Sequence, residues 1–119
     1  MDKNVVLDKS FNFAIRVVNL YKFLCKDKKE YTLSKQLLRS GTSIGANINE
    51  AQAGQSKNDF IAKMAIASKE ARESKYWIRL LIETKYLDKE SIHTESLLSE
   101  IEEIIKLLTS IVKTSQNSK

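Results

Sequence analysis

The chain has 119 residues with no proline and one cysteine; 42% of the residues are hydrophobic, 29% are charged, and the net charge is +5. This length and apolar content predict one folded domain, residues 1–119, with a substantial core. The single Cys25 excludes an intramolecular disulfide, and no apolar run has the roughly 18 residues of a membrane span or the form of a secretory signal. We therefore expect a cytoplasmic protein.

The first predicted helix covers about residues 8–27, with Asp8 as its N-cap. Apolar side chains at a spacing of three or four residues form its predicted stripe, which comprises Phe11, Ala14, Val18, Tyr21 and Cys25. The second predicted helix covers about residues 32–53, with Thr32 as its cap and Gly54 as a left-handed residue that ends it. Its stripe comprises Leu37, Gly41, Ile44, Ile48 and Ala51.

The third predicted helix covers about residues 56–85, and Ser56 with Asp59 has the spacing of a capping box. Its stripe comprises Phe60, Met64, Ala67, Ala71, Ser74, Ile78 and Leu81. The fourth covers about residues 88–114, with Asp88 as the cap and with Leu87 and Ile92 at the positions of a hydrophobic staple. Its stripe comprises Leu97, Ile101, Ile104, Leu108 and Ile111.

Four amphipathic helices with short connections predict an all-α fold, an antiparallel up-down-up-down four-helix bundle. Helices 3 and 4 carry more apolar residues than one stripe needs. The additional residues are Ile61, Ala65, Tyr76 and Trp77 on helix 3 and Leu98, Ile105 and Val112 on helix 4. This surplus indicates either better burial within one chain or contact with a second chain.

The stretch "SGTSIGANINEAQAG", residues 40–54, contains all three glycines and only one charged residue. Glycine within a helix costs about 1 kcal/mol relative to alanine, so Gly41 and Gly45 need a compensating close approach. We expect Gly41 to face the small residues Ala67, Ala71 and Ser74 of helix 3, and Gly45 to face a different neighbour.

Ser43, Asn47 and Glu50 follow one flank of helix 2 at helical spacing. If these side chains are buried they need polar partners, and the candidates on helix 3 are Glu70, Arg72 and Glu73, with Arg72 as the counter-ion of Glu50. Two interpretations stay open. The residues form either a buried network that fixes helix register or a functional site built on Glu50.

Residues 1–86 contain 16 Lys and Arg against 9 Asp and Glu, a net charge of +7, whereas residues 87–119 carry −2. A basic balance favours an anionic partner such as nucleic acid, although lysines also solvate ordinary surfaces. The candidate nucleic-acid contacts surround the first turn between helices and comprise Lys22, Lys26, Lys28, Lys29, Lys35 and Arg39.

Catalytic, metal and cofactor sites are not expected. Glu90 and His93 have the spacing of a di-iron ligand pair, but such a site needs two of these motifs, and the chain has one histidine. Cys25 lies on an apolar stripe, as a small core residue would. Tyr76 and Trp77 could stack on bases, although aromatic residues in a helical stripe usually belong to a core or an interface.

The residues "SIGANINEA" and "KMAIASKEARESKYWIRLL" resemble the bacterial four-helix bundle proteins, also called 23S rRNA intervening-sequence proteins because some are encoded within insertions in ribosomal RNA genes. The resemblance runs from about Tyr31 through Leu87. The family pattern on helix 2 is matched by Ser43, Ile44, Asn47, Ile48 and Glu50, with departures at Asn49 and Ala51. The pattern on helix 3 is matched by Lys69, Glu70, Ala71, Glu73, Tyr76, Trp77 and Arg79.

The resemblance implies the bundle fold and no settled catalytic role. The family is in turn similar to the accessory protein of diversity-generating retroelements, a basic pentameric barrel that binds nucleic acid and a reverse transcriptase. That similarity implies a homopentamer. Two functions are thus expected as alternatives: a non-enzymatic oligomer that binds RNA or DNA through its basic surface, or a structural oligomer that scaffolds a protein partner.

Overall fold

The computed structural model describes residues 3–117 as four α-helices, and this part of the chain contains no β-strand. The helices are α1 (Lys3–Lys26), α2 (Leu33–Gln52), α3 (Lys57–Glu83) and α4 (Ile92–Asn117). Each helix packs against the next along the chain, and a less extensive contact between α4 and α1 closes the bundle. The short connections make consecutive helices antiparallel, so the predicted all-α four-helix bundle is confirmed.

The buried faces of α2, α3 and α4 are those that the spacing of apolar residues predicts. Every residue of the predicted stripes of α2 and α4 is buried, and on α3 only Phe60 is partly exposed. The surplus apolar residues Leu98, Ile105 and Val112 pack half-buried against this core, so most of the additional apolar surface of α4 is used within the chain.

On α1 the predicted stripe is wrong. The buried residues of this helix are Val6, Ser10, Phe13, Val17 and Leu24, and Phe11 is 65% exposed. Apolar side chains surround most of α1, so periodicity alone does not select a face. The true stripe also passes through Ser10, whose hydroxyl donates to the carbonyl oxygen of Leu7 at 2.9 Å and so tolerates burial.

The beginnings of α1 and α4 also differ from the prediction. α1 begins at Lys3, so Asp8 lies inside the helix and does not cap it. α4 begins at Ile92, because Asp88 belongs to the preceding loop, where its Oδ1 accepts from the N–H of Glu90 at 2.9 Å. Ile92 is 75% exposed, so the predicted staple with Leu87 does not form.

The predicted ends of α2 are partly wrong. Thr32 makes no side-chain capping bond, and Glu30 supplies the cap instead, as described below. Gly54 does not adopt a positive φ, because α2 ends in a tight turn in which Gly54 N–H donates to the Ala51 carbonyl oxygen at 3.1 Å. At the start of α3, Ser56 Oγ accepts from the N–H of Asp59 at 3.1 Å, and the predicted Ser56 cap is confirmed.

Candidate nucleic-acid interface

The two helical glycines are placed where α1 and α2 approach closely. A Cβ atom at Gly41 would lie 2.9 Å from both γ-carbons of Val17, and one at Gly45 would lie 3.3 Å from Ser10 Oγ. The nearest neighbour of Gly41 is therefore α1, and the prediction that it faces the small residues of α3 is wrong. The glycines allow the first two helices, which carry the candidate lysines, to pack closely.

The contact between α2 and α3 contains a buried pair of hydroxyl groups. Ser74 Oγ lies 2.9 Å from Ser40 Oγ and 2.9 Å from the carbonyl oxygen of Glu70. Ser40 was not singled out from the sequence, since a serine in an apolar stripe has no distinctive pattern. The pair satisfies two polar groups inside the core.

Ser43 and Asn47 bond within their own helix. Ser43 Oγ donates to the carbonyl oxygen of Arg39 at 2.7 Å, and Asn47 Nδ2 donates to that of Ser43 at 2.8 Å. Glu50 is exposed, and Arg72 donates to Thr109 Oγ1 of α4 at 3.2 Å. The prediction of a buried network that joins Glu50 to Arg72 is wrong, because Glu50 projects to the surface.

Glu73 instead takes part in a cluster with Arg39 and Trp77. Arg39 Nη2 bonds to the Glu73 carboxylate, Arg39 Nη1 lies 3.3 Å from Glu70 Oε1, and Trp77 Nε1 donates to Glu73 Oε2 at 3.3 Å. The hydrogen bond to Glu70 is the main cause that raises the pKa of Arg39. Because two carboxylates already neutralise this guanidinium, we remove Arg39 from the candidate phosphate contacts.

The remaining candidates lie together at the end of the bundle where α1 ends and α2 begins. We call Lys22, Lys26, Lys28, Lys29 and Lys35 the five-lysine group. All five side chains are exposed, and in the part of the chain that the structure describes none of them forms an ion pair. Their charge is therefore available to an anion from solution.

Glu30 holds the turn between α1 and α2, which carries Lys28 and Lys29 of this group. Its buried carboxylate accepts hydrogen bonds at 2.7–3.2 Å from three backbone N–H groups at the start of α2, those of Thr32, Leu33 and Ser34. Burial by itself raises the pKa of Glu30, but these bonds to the ionised form outweigh it and lower the pKa below its ordinary value. Lys29 takes a positive φ of 56° that reverses the chain before the cap.

The loop between α3 and α4 meets the same end of the bundle. Lys28 lines an open cavity of about 500 Å³ together with Lys85 and Lys89, and three acidic residues line it as well, namely Glu83, Asp88 and Glu90. The charges of this cavity are mixed, so we place the candidate interface on the five-lysine group beside it.

Glu90 and His93, which have the spacing of metal ligands, do not belong to a metal-binding group of side chains in the described residues. Within residues 3–117 no group of three or more His, Cys, Asp or Glu side chains could hold a metal ion. His93 is exposed, and its carbonyl oxygen accepts from Arg16 at 3.1 Å. Cys25 is half-buried, with its sulfur 3.9 Å from Ser34 Oγ.

A second surface feature lies toward the opposite end of α1. An open groove of about 540 Å³ runs between α1 and α2, and we call it the α1–α2 groove. Leu7, Asp8, Phe11, Ala14, Thr42, Gly45, Ala46 and Asn49 line it. Small side chains on α2 and the exposed ring of Phe11 make this groove largely apolar. None of the helices described here is long and apolar enough to cross a membrane.

Comparison with known proteins extends the resemblance beyond residues 31–87. The family model for the 23S rRNA-intervening sequence protein matches residues 2–110. A solved structure of a protein of unknown function, from the S23 ribosomal protein family of Bacteroides thetaiotaomicron, is 57% identical to this chain. The match covers 95% of this chain and 99% of that one, with a TM-score of 0.90.

A search of the curated proteins gives no match. The likeness to the retroelement accessory protein stays a prediction. The family match over nearly the whole chain and the 57% identity agree with the motifs on α2 and α3, and the chain belongs to the 23S rRNA-intervening sequence protein family.

Proposed function

We propose that this protein is a non-enzymatic helical bundle that binds nucleic acid, with RNA as the preferred ligand, through the five-lysine group. The single observation that carries the proposal is the arrangement of these lysines: five exposed cations at one end, without ion pairs among residues 3–117. The family description names 23S rRNA, so a fragment of that RNA is the first probe.

Binding of this kind proceeds through backbone phosphates. Each lysine that neutralises a phosphate releases a condensed counterion, so affinity falls as salt rises. The lysines lie at helix ends and in a turn, so they do not form one face of a helix that could enter a groove of the nucleic acid. Recognition is accordingly led by charge and shape rather than by base edges.

The test is a filter-binding titration of the purified protein with a structured 23S rRNA fragment at low and high salt. We expect binding at low salt, and a loss of about tenfold or more when Lys26, Lys28 and Lys29 are changed to Glu. Reversal of Lys69, Lys106 and Lys113, which are exposed elsewhere, changes the net charge equally and is the control. No binding at low salt, or equal losses for both triple variants, would contradict the proposal.

We also propose that the chain forms a homo-oligomer, and the expected assembly is a pentamer. The α1–α2 groove supports this part of the proposal, since Phe11 and its apolar neighbours are exposed in the single chain. A ring would repeat the five-lysine group around an axis, so that weak phosphate contacts add through multivalency.

The α1–α2 groove also favours a second candidate function, a scaffold that binds another protein and no nucleic acid. Its apolar lining and small α2 side chains suit an amphipathic helix laid along it. The two candidates differ in the titration above, because a pure protein scaffold shows no salt-dependent RNA binding.

A further inference from the structure

Two exposed aromatic side chains lie among the lysines of the five-lysine group. Phe23 is 42% exposed on the last turns of α1, and Tyr31 is 58% exposed just before α2. The N–H of Glu30 donates to the carbonyl oxygen of Leu24 at 3.0 Å, so the chain neighbours of the two aromatics meet in space. The fold thus presents two rings, largely outside the core, at the basic end of the bundle.

Positive charge lies beside these rings, and it suits the phosphates of a nucleic acid. Lys28 Nζ lies 5.9 Å from the centroid of the Phe23 ring, within the range of a cation–π contact. A base that stacks on this face of Phe23 takes the place of the Lys28 ammonium group, which is then free to pair with the phosphate attached to that base. Bases in a duplex already stack on one another, so only unpaired bases can use such a face.

We propose that Phe23 and Tyr31 stack on unpaired bases, so that the five-lysine group takes single-stranded RNA in preference to duplex RNA. This inference rests on the proposed function, and it adds the class of RNA to it. The lysines hold the backbone while the rings hold bases. Sequence preference is weak, because every base has a π-face.

The other exposed aromatic residues are placed less favourably. The Tyr76 ring packs edge-to-face on Trp77 with centroids 5.1 Å apart, and the Trp77 N–H donates to the Glu73 carboxylate. A carboxylate at this position repels a phosphate, which disfavours the stacking role considered for the pair. Phe11 is exposed on the same helix as Phe23 but lies at the α1–α2 groove, outside the five-lysine group.

The experiment measures fluorescence anisotropy of the full chain with a labelled oligouridine and with a blunt RNA duplex of equal length, across a series of salt concentrations. We expect tighter binding of the single strand. Phe23→Ala and Tyr31→Ala should each weaken it by roughly 5- to 100-fold, with little change in the salt slope. Tyr31→Phe keeps a ring and should retain the affinity. Tyr76→Ala is the matched control, because Tyr76 is an exposed aromatic residue outside both the five-lysine group and the α1–α2 groove.

Failure of this inference is distinguishable from failure of the proposed function. Salt-dependent binding that is equal for strand and duplex, and that Phe23→Ala and Tyr31→Ala leave unchanged, overturns the stacking role alone. Absence of salt-dependent binding to either probe overturns the nucleic-acid function itself. Circular dichroism of each variant confirms that the helices are intact.

Discussion

Gly41 has no room for a side chain, because a Cβ atom there would lie 2.9 Å from both γ-carbons of the buried Val17. We expect Gly41→Ala to lower the free energy of unfolding by about 1–3 kcal/mol, since overpacking outweighs the better helix propensity of alanine. Chemical denaturation measures the change. Gly45→Ala is the control and should cost less, since its closest contact would be 3.3 Å.

The same contact offers a compensating substitution. Val17→Ala removes the two methyl groups that a methyl side chain at position 41 would meet, so the double variant should be more stable than the sum of the two single effects predicts. Strict additivity in this double-mutant cycle would show that the cost of Gly41→Ala arises elsewhere. The requirement for a small residue at position 41 was predictable from the sequence, but its neighbour was not. Small residues on α3 indicated that helix, and nothing in the spacing of α1 identified Val17 as the contact.

The Glu30 carboxylate makes the stability of the start of α2 depend on pH. Its pKa is lowered in the folded chain, so its contribution is fully present above the pKa of the unfolded chain and is lost as pH falls through the folded value. We expect Glu30→Gln to cost about 1–2 kcal/mol at neutral pH, because the charge-assisted bonds to backbone N–H groups are lost. This cost should shrink as the pH falls below about 4.

Thermal unfolding from neutral to acidic pH tests this expectation, with Glu50→Gln as the control because Glu50 is exposed. A cost for Glu30→Gln that is the same at every pH would contradict the role of the ionised carboxylate. The sequence did not predict this cap. A glutamate before a helix is an uncommon capping residue compared with Ser, Thr, Asp or Asn, and Thr32 is a more usual choice.

Among the helices, α1 shows what periodicity can and cannot predict. The stripes of α2, α3 and α4 follow from spacing, because polar residues clearly mark the opposite faces of these helices. On α1 the predicted residues Phe11, Ala14 and Val18 form a second apolar face, which lines or adjoins the α1–α2 groove instead of the core. Which of the two faces is buried depends on where α2 and α4 pack against α1. That packing belongs to the tertiary structure and cannot be predicted from the spacing of residues within α1.

The end of α3 provides a prediction about backbone strain. Lys85 adopts a positive φ of 70°, and the N–H of Tyr86 donates to the Leu81 carbonyl oxygen at 2.9 Å, as in a Schellman motif. A left-handed conformation costs roughly 1–2 kcal/mol in a residue that carries a Cβ, whereas glycine adopts it freely. We expect Lys85→Gly to raise the free energy of unfolding by about 0.5–1 kcal/mol.

Chemical denaturation measures this gain as well. Lys89→Gly removes the same charge from the same loop at a position without a positive φ, so it controls for charge and for loop entropy. If Lys89→Gly raises the free energy of unfolding equally, or if Lys85→Gly does not raise it, the positive φ of Lys85 does not strain the end of α3.

For the whole molecule, the distribution of charge separates the proposed binding end from the rest. The excess of basic residues before residue 87 was predictable from composition, as was the position of five lysines near one turn. The pairing of Arg39 with Glu70 and Glu73 was not predictable, because it depends on the rotation of α3 relative to α2. The exposure of Phe23 and Tyr31 likewise follows from how α1 and the turn after it pack, and not from a pattern in the sequence.

The α1–α2 groove makes the assembly of the molecule testable. If the groove is a contact between subunits, Phe11→Glu places a charge in an apolar interface, and the mass in solution should fall from an oligomer to a monomer. Ile92→Glu is the control, because Ile92 is 75% exposed but does not line the groove. Light scattering at micromolar concentration measures both variants beside the native chain.

Three outcomes of that measurement separate the alternatives. A monomeric native chain contradicts the proposed homo-oligomer. An oligomeric native chain that Phe11→Glu leaves intact places the subunit contact elsewhere and leaves the groove to another partner. Dissociation by Phe11→Glu, with Ile92→Glu unaffected, supports the groove as the contact. In that case RNA affinity should fall together with mass, because one copy of the five-lysine group then binds without the multivalency of a ring.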